Sequence, residues 1–80
     1  MRVFVGCDLG GTNIKAGLVD IDKGKVLDSD SIPTLSRKGP ESVLNRMAEL
    51  ISGLIHKSSF TIKDIGGLGI SAPGMIVLEK

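Results

Sequence analysis

Residues 5–17 read V-G-C-D-L-G-G-T-N-I-K-A-G. An apolar strand runs into an aspartate, a Gly-Gly-Thr turn comes next, and a second strand carries a lysine. Val3, Phe4 and Val5 feed the first strand, and residues 13–19 lead back out. Gly10 and Gly11 are expected to turn the chain with φ > 0 and to leave their N–H groups unobstructed. Such a hairpin binds phosphate. Side-chain-free backbone donors make an anion-binding concavity, the Thr12 hydroxyl adds to it, and Lys15 brings a mobile positive charge. Asp8, at the strand end, offers an oxygen of the kind Mg²⁺ takes, directly or through water.

The residues after each glycine cluster exclude other readings. Gly6 and Gly11 have the spacing of a Walker A loop, but Thr12-Asn13 stand where that loop needs Lys and then Ser or Thr before a helix. The stretch Gly67-Leu68-Gly69-Ile70-Ser71-Ala72 fits a loose dinucleotide fingerprint, yet Pro73-Gly74 come directly after it and no helix completes the unit. Ser71 lacks the final glycine of a nucleophile elbow, and the only histidine, His56, falls on a helix. A serine hydrolase is unsupported.

Eighty residues make one small domain at most, with a thin core. Ten basic and nine acidic side chains leave a net charge of +1. No basic stripe or aromatic ladder points to nucleic acid, and no apolar run approaches the ~20 residues needed to cross a bilayer. With no signal peptide after Met1, the expected compartment is the cytosol. The lone Cys7 reads as a buried structural thiol.

Beyond the hairpin, residues 20–25 supply polar turn chemistry, with Asp20 and Asp22 as turn acids, before a third strand over 26–32 that ends at Pro33. A polar loop over 34–39 precedes Pro40, which suits the first turn of a helix, and Glu41 sits near the positive end of its dipole. Val43, Leu44, Met47, Leu50, Ile51, Leu54 and Ile55 then recur at three- and four-residue intervals, so that face lies on the sheet. His56 at the helix end is expected to face solvent. A connection over 58–64 leads to a glycine-thinned strand, residues 66–70, whose carboxyl end should face the same cleft as the first turn. The order β-β-β-α-β predicts a mixed sheet, because a helical crossover places the last strand parallel to an earlier one. That strand is expected to lack neighbours. Residues 75–78 read as the start of another segment, and the domain is expected to be truncated after residue 80.

At Asp8-Leu9-Gly10-Gly11-Thr12-Asn13-Ile14-Lys15, and again at Gly69-Ile70-Ser71-Ala72-Pro73-Gly74, the chain resembles the ROK family (repressors, open reading frames and kinases), especially glucokinase-like sugar kinases. The resemblance covers nearly the whole chain, with Pro33-Thr34, the helix and the A-P-G segment in their expected relative positions. It implies an α/β fold, a partial actin-like ATPase (ribonuclease H-like) lobe, with residues 1–80 as the first part of the N-terminal nucleotide- and sugar-binding lobe.

Carried over residue by residue, Asp8 would hold the Mg²⁺ side of the ATP phosphates. Gly10, Gly11, Thr12 and Asn13 would meet phosphate, and Lys15 would stand near the γ end. Gly74 and Met75 would approach the sugar hydroxyls. The family's catalytic base, an aspartate in an Asn-Asp pair, and its zinc motif lie downstream of this sequence. Val77 stands where many relatives carry an acidic residue. The expected function is thus part of an ATP-dependent hexose kinase acting on glucose in a homo-oligomeric parent, the 80 residues alone being inactive. Two alternatives are a sugar-responsive regulator and a non-catalytic actin-like nucleotide-binding module. Regulators of the family carry a helix-turn-helix before the first strand, whereas here the strand starts at once.

Overall fold

A computed structural model describes residues 2–72 and, for the backbone, 75–79. Its elements are β1 (Val3–Leu9), β2 (Asn13–Asp20), β3 (Lys25–Pro33), α1 (Pro40–Lys57), β4 (Ile65–Ala72) and β5 (Met75–Glu79), with short 3₁₀ turns at Ser36–Lys38 and Ile62–Asp64. The strands form one sheet in the order β3-β2-β1-β4-β5.

β1, β2 and β3 are an antiparallel meander, and β4 lies parallel to β1. β3 runs antiparallel to β2 and therefore points the same way as β1 and β4. The α1 crossover carries the chain from one parallel position to another, as expected for a helix between parallel strands. The expectation that β4 lacks a neighbour is corrected: β5 pairs with it antiparallel, Ala72 opposite Met75. Two residues separate these partners, which is enough for a hairpin and far too short for a parallel return.

Alternation along the strands divides the sheet into two faces. Val3, Val5 and Cys7 of β1 and Ile14, Ala16 and Leu18 of β2 are buried on one face, against Val43, Met47, Leu50, Leu54 and Ile55 of α1. Burying each of the larger of these side chains stabilises the fold by about 1.5–3 kcal/mol. Leu44 departs from the expected stripe, being 55% exposed. It comes one residue after Val43 and so points about 100° around the helix, off the sheet. The helix opens on Pro40 after Gly39, whose φ of 95° accommodates the sharp entry.

The turn acids behave as read. Asp20 is buried and accepts N–H bonds from Asp22 (3.1 Å) and Lys23 (3.2 Å), so its carboxylate organises the β2–β3 turn. Asp22 accepts from Arg2 Nη2 at 2.7 Å and Nε at 3.1 Å. Those bonds hold the Asp22 carboxyl below the usual carboxylate range and raise the Arg2 guanidinium. Both side chains are exposed, so the pair adds little to stability. His56 is exposed in the last turn of α1.

Candidate phosphate-binding hairpin

The β1–β2 register places Asp8 opposite Lys15, and the β1–β4 register places Asp8 beside Ser71. All three side chains therefore stand on the face of the sheet away from α1, at the carboxyl ends of the parallel strands β1 and β4. Direct cross-strand partners have Cβ atoms about 5 Å apart, close enough to address one ligand. Asp8, Lys15 and Ser71 are exposed. Among the described residues the ion pairs are Arg2–Asp22 and Lys57–Asp30, so Asp8 and Lys15 do not neutralise each other. Beneath this row Gly6, Gly17 and Gly69 align across β1, β2 and β4 and floor a shallow depression of about 570 Å³.

The turn itself corrects one expectation. Neither Gly10 nor Gly11 has positive φ; among the described glycines only Gly24 and Gly39 do. The two glycines differ in the space around them. A Cβ on Gly10 would lie 2.9 Å from the Asn13 carbonyl oxygen, whereas a Cβ on Gly11 would meet nothing within 4 Å. Gly10 is small because the chain folds tightly over it. Gly11 opens outward, on the side a ligand would approach.

The hydrogen bonds sort the turn's polar groups. Gly10 N–H donates to the Asn13 carbonyl (3.0 Å), Thr34 N–H to the Thr12 carbonyl (2.9 Å), and the Thr34 hydroxyl to the Gly10 carbonyl (2.7 Å). The Gly10, Thr12 and Asn13 carbonyls are thus turned onto protein donors. Among the described residues the N–H groups of Gly11 and Thr12 have no protein acceptor, and the side chains of Asp8, Thr12, Asn13 and Lys15 make no hydrogen bond. Donors without partners, gathered on an exposed turn, suit an anion.

Thr34 escaped the sequence reading, which placed it in a polar loop. Its place follows from the β2–β3 register, which shifts between Leu18 and Val19 and sets Asn13 opposite Pro33 and hence Thr34 beside Thr12. After Thr34 the chain leaves through Leu35 in the left-handed region (φ 52°, ψ 51°). Of the expected sugar-contacting residues, Gly74 lies outside the described residues, and Met75 is placed only as the first residue of β5.

Among the described residues no three His, Cys, Asp or Glu side chains gather into a closed metal site. Asp8 alone fits Mg²⁺ in the manner of nucleotide sites, where one or two carboxylates share the ion with waters and substrate phosphates. Next to it Cys7 is buried, and burial, with a smaller contribution from the Asp8 carboxylate, pushes its thiol pKa up. Because the folded pKa is raised, this group's contribution to stability is complete below the unfolded thiol pKa and is lost as pH rises through the folded one. At pH 8 the native thiol is expected to alkylate at least about tenfold more slowly than in urea. Equal rates would place Cys7 outside the core.

No family model matches the chain. Among curated proteins, the glucokinase of Thermotoga maritima is 38% identical over 77 residues, covering 96% of this chain and 22% of that protein. The glucokinase of Halalkalibacterium halodurans is 30% identical over 78 residues, 98% of this chain and 23% of that protein. A solved ROK family glucokinase from Streptomyces griseus, in complex with glucose and AMPPNP, matches with a TM-score of 0.73 at 28% identity, over 90% of this chain and 20% of that one. The chain is a relative of the ROK-family glucokinases. An inorganic polyphosphate/ATP-glucomannokinase from Arthrobacter also matches, with a TM-score of 0.73 at 33% identity, over 88% of this chain and 28% of that one.

The fold is accordingly a partial actin-like ATPase lobe, as the resemblance implied, and the mixed sheet matches the one expected from the element order. The chain spans less than a quarter of the length of the curated glucokinases it matches. A reductive activator for a corrinoid, iron-sulfur protein shares the architecture at 21% identity with a TM-score of 0.73. Architecture alone therefore selects no activity, and function rests on the chemistry of the hairpin.

Proposed function

We propose that the chain is the N-terminal part of an ATP-dependent glucose kinase, residues 1–80 forming the first part of its nucleotide- and sugar-binding lobe. The observation that carries this reading is the turn at residues 10–13, where protein donors hold the Gly10, Thr12 and Asn13 carbonyls while the Gly11 and Thr12 N–H groups have no acceptor among the described residues, between Asp8 and Lys15. The family relationship supports it.

In this reading Gly11, Thr12 and Asn13 hold phosphate oxygens through backbone and side-chain donors, with Gly10 shaping the turn. Lys15 neutralises charge toward the γ end, and Gly74 and Met75 border the sugar. Asp8 would hold Mg²⁺, which neutralises charge on the phosphates as the γ-phosphoryl group is transferred. Phosphoryl transfer leaves little covalent work for a protein, so positioning and charge suffice for this part of the chain. The base that takes the sugar proton lies in the remainder of the kinase. A cytoplasmic homo-oligomer is the assembly and location that go with this reading.

Coupled ADP release from the full-length protein tests the proposal. Turnover is expected to require glucose together with ATP, and the isolated 80 residues are expected to show none. ATP hydrolysis indifferent to sugar would favour a non-catalytic actin-like module instead. Polyphosphate in place of ATP checks the donor, since one matched relative is named for both. Turnover with polyphosphate alone would overturn the nucleotide assignment.

A further inference from the structure

The strongest unassigned feature is the bond between Thr34 and the turn. Thr34 is 3% exposed, and it ties two carbonyls of the hairpin distant in sequence, Gly10 through its hydroxyl and Thr12 through its N–H. One residue earlier, the Pro33 carbonyl is itself held by Arg46 of α1, which donates from Nη2 at 2.7 Å and Nε at 3.0 Å. The chain of contacts thus runs from the helix through the end of β3 to the carbonyl side of the turn. A peptide unit has its C=O and N–H on opposite sides, so fixing the Gly10 carbonyl inward fixes the Gly11 N–H outward.

We propose that Thr34 is a positioning residue for phosphate binding, which pre-sets the outward aim of the Gly11 N–H by holding the Gly10 carbonyl, with Arg46 as its brace on the helix. This inference rests on the proposed role of the turn and adds to it a residue that touches no ligand. Without the hydroxyl the Gly10–Gly11 peptide is free to rotate, and its N–H then spends only part of its time aimed at the phosphate. Affinity falls by that fraction, since a site only partly in its competent state binds correspondingly more weakly.

The test uses the full-length protein, with ATP affinity measured by calorimetry and steady-state constants determined for both substrates. Thr34→Val keeps the shape and removes the donor. It is expected to weaken ATP binding and raise the ATP KM by about tenfold, the size of one lost hydrogen bond, with the glucose KM changed by less than about twofold. Thr34→Ser restores the hydroxyl and should bring ATP affinity back to within about threefold of the parent. A folded Thr34→Val with parental ATP affinity overturns the proposal, as does equal damage in the Val and Ser variants to both substrates. Should Thr34→Val not fold, Thr34→Ser against Thr34→Cys decides, because the two are close in size and differ in donor strength. Weaker ATP binding in the Cys variant supports the clamp, and equal affinities refute it. Gly11→Val separates the clamp from the site it serves. If that variant also binds ATP normally, the turn is not the nucleotide site, whereas a loss there with none in Thr34→Val removes the clamp alone.

Discussion

Gly11→Val is expected to weaken ATP binding by the full-length protein by about two orders of magnitude, the equivalent of losing one or two charge-assisted hydrogen bonds from backbone N–H to phosphate. The variant is informative because the protein itself leaves room for the side chain. No atom lies within 4 Å of the added Cβ, and the backbone there is outside the positive-φ region, so the branch point of the new side chain meets neither clash nor positive-φ strain. The thermal midpoint should hence move by no more than a few degrees. What the isopropyl group occupies is the approach to the Gly11 and Thr12 N–H groups. The neighbouring Gly10→Ala provides the contrast, since its methyl would press on the Asn13 carbonyl at 2.9 Å and the damage would appear as lost stability. Normal ATP affinity and turnover in a folded Gly11→Val protein would remove the turn from the site.

The difference between these two adjacent glycines marks where sequence reasoning stops. Both satisfy the same motif, and the spacing of Asp8, Thr12 and Lys15 around them was sufficient to locate the hairpin. Which glycine serves the fold and which the ligand depends on the direction of each Cβ, and no local pattern carries that. The helix was legible because burial repeats every three or four residues. Leu44 was misassigned because one apolar residue beside the stripe looks the same in sequence as one within it. The third strand and its Pro33 end were legible from β-branched residues and punctuation. Thr34 was not, because its partners, Gly10 and Thr12, are distant in sequence and set by register. β5 shows the same limit: its apolar run was visible, but its pairing results from the short connection to β4 and not from its composition.

Asp8 is where register converts into a rate prediction. Its side chain stands at the end of β1, with Lys15 on one neighbouring strand and Ser71 on the other, and it makes no hydrogen bond among the described residues. Removing its charge should consequently leave the fold intact, and Asp8→Asn is expected to unfold within a few degrees of the parent. The kcat for glucose phosphorylation should fall by about 10²–10³, the usual effect of deleting one preorganised electrostatic contact to a transition state. The ATP KM should change by only a few-fold, since the Gly11, Thr12 and Lys15 donors remain and charge redistributes most during transfer. A second readout is independent of turnover. If Asp8 places Mg²⁺, the parent should bind ATP more tightly with Mg²⁺ than without it, and Asp8→Asn should lose most of that difference. Parental kcat at saturating Mg²⁺, together with an undiminished Mg²⁺ effect on affinity, would remove Asp8 from the site and leave the turn to bind phosphate with Lys15 as its only flanking charge.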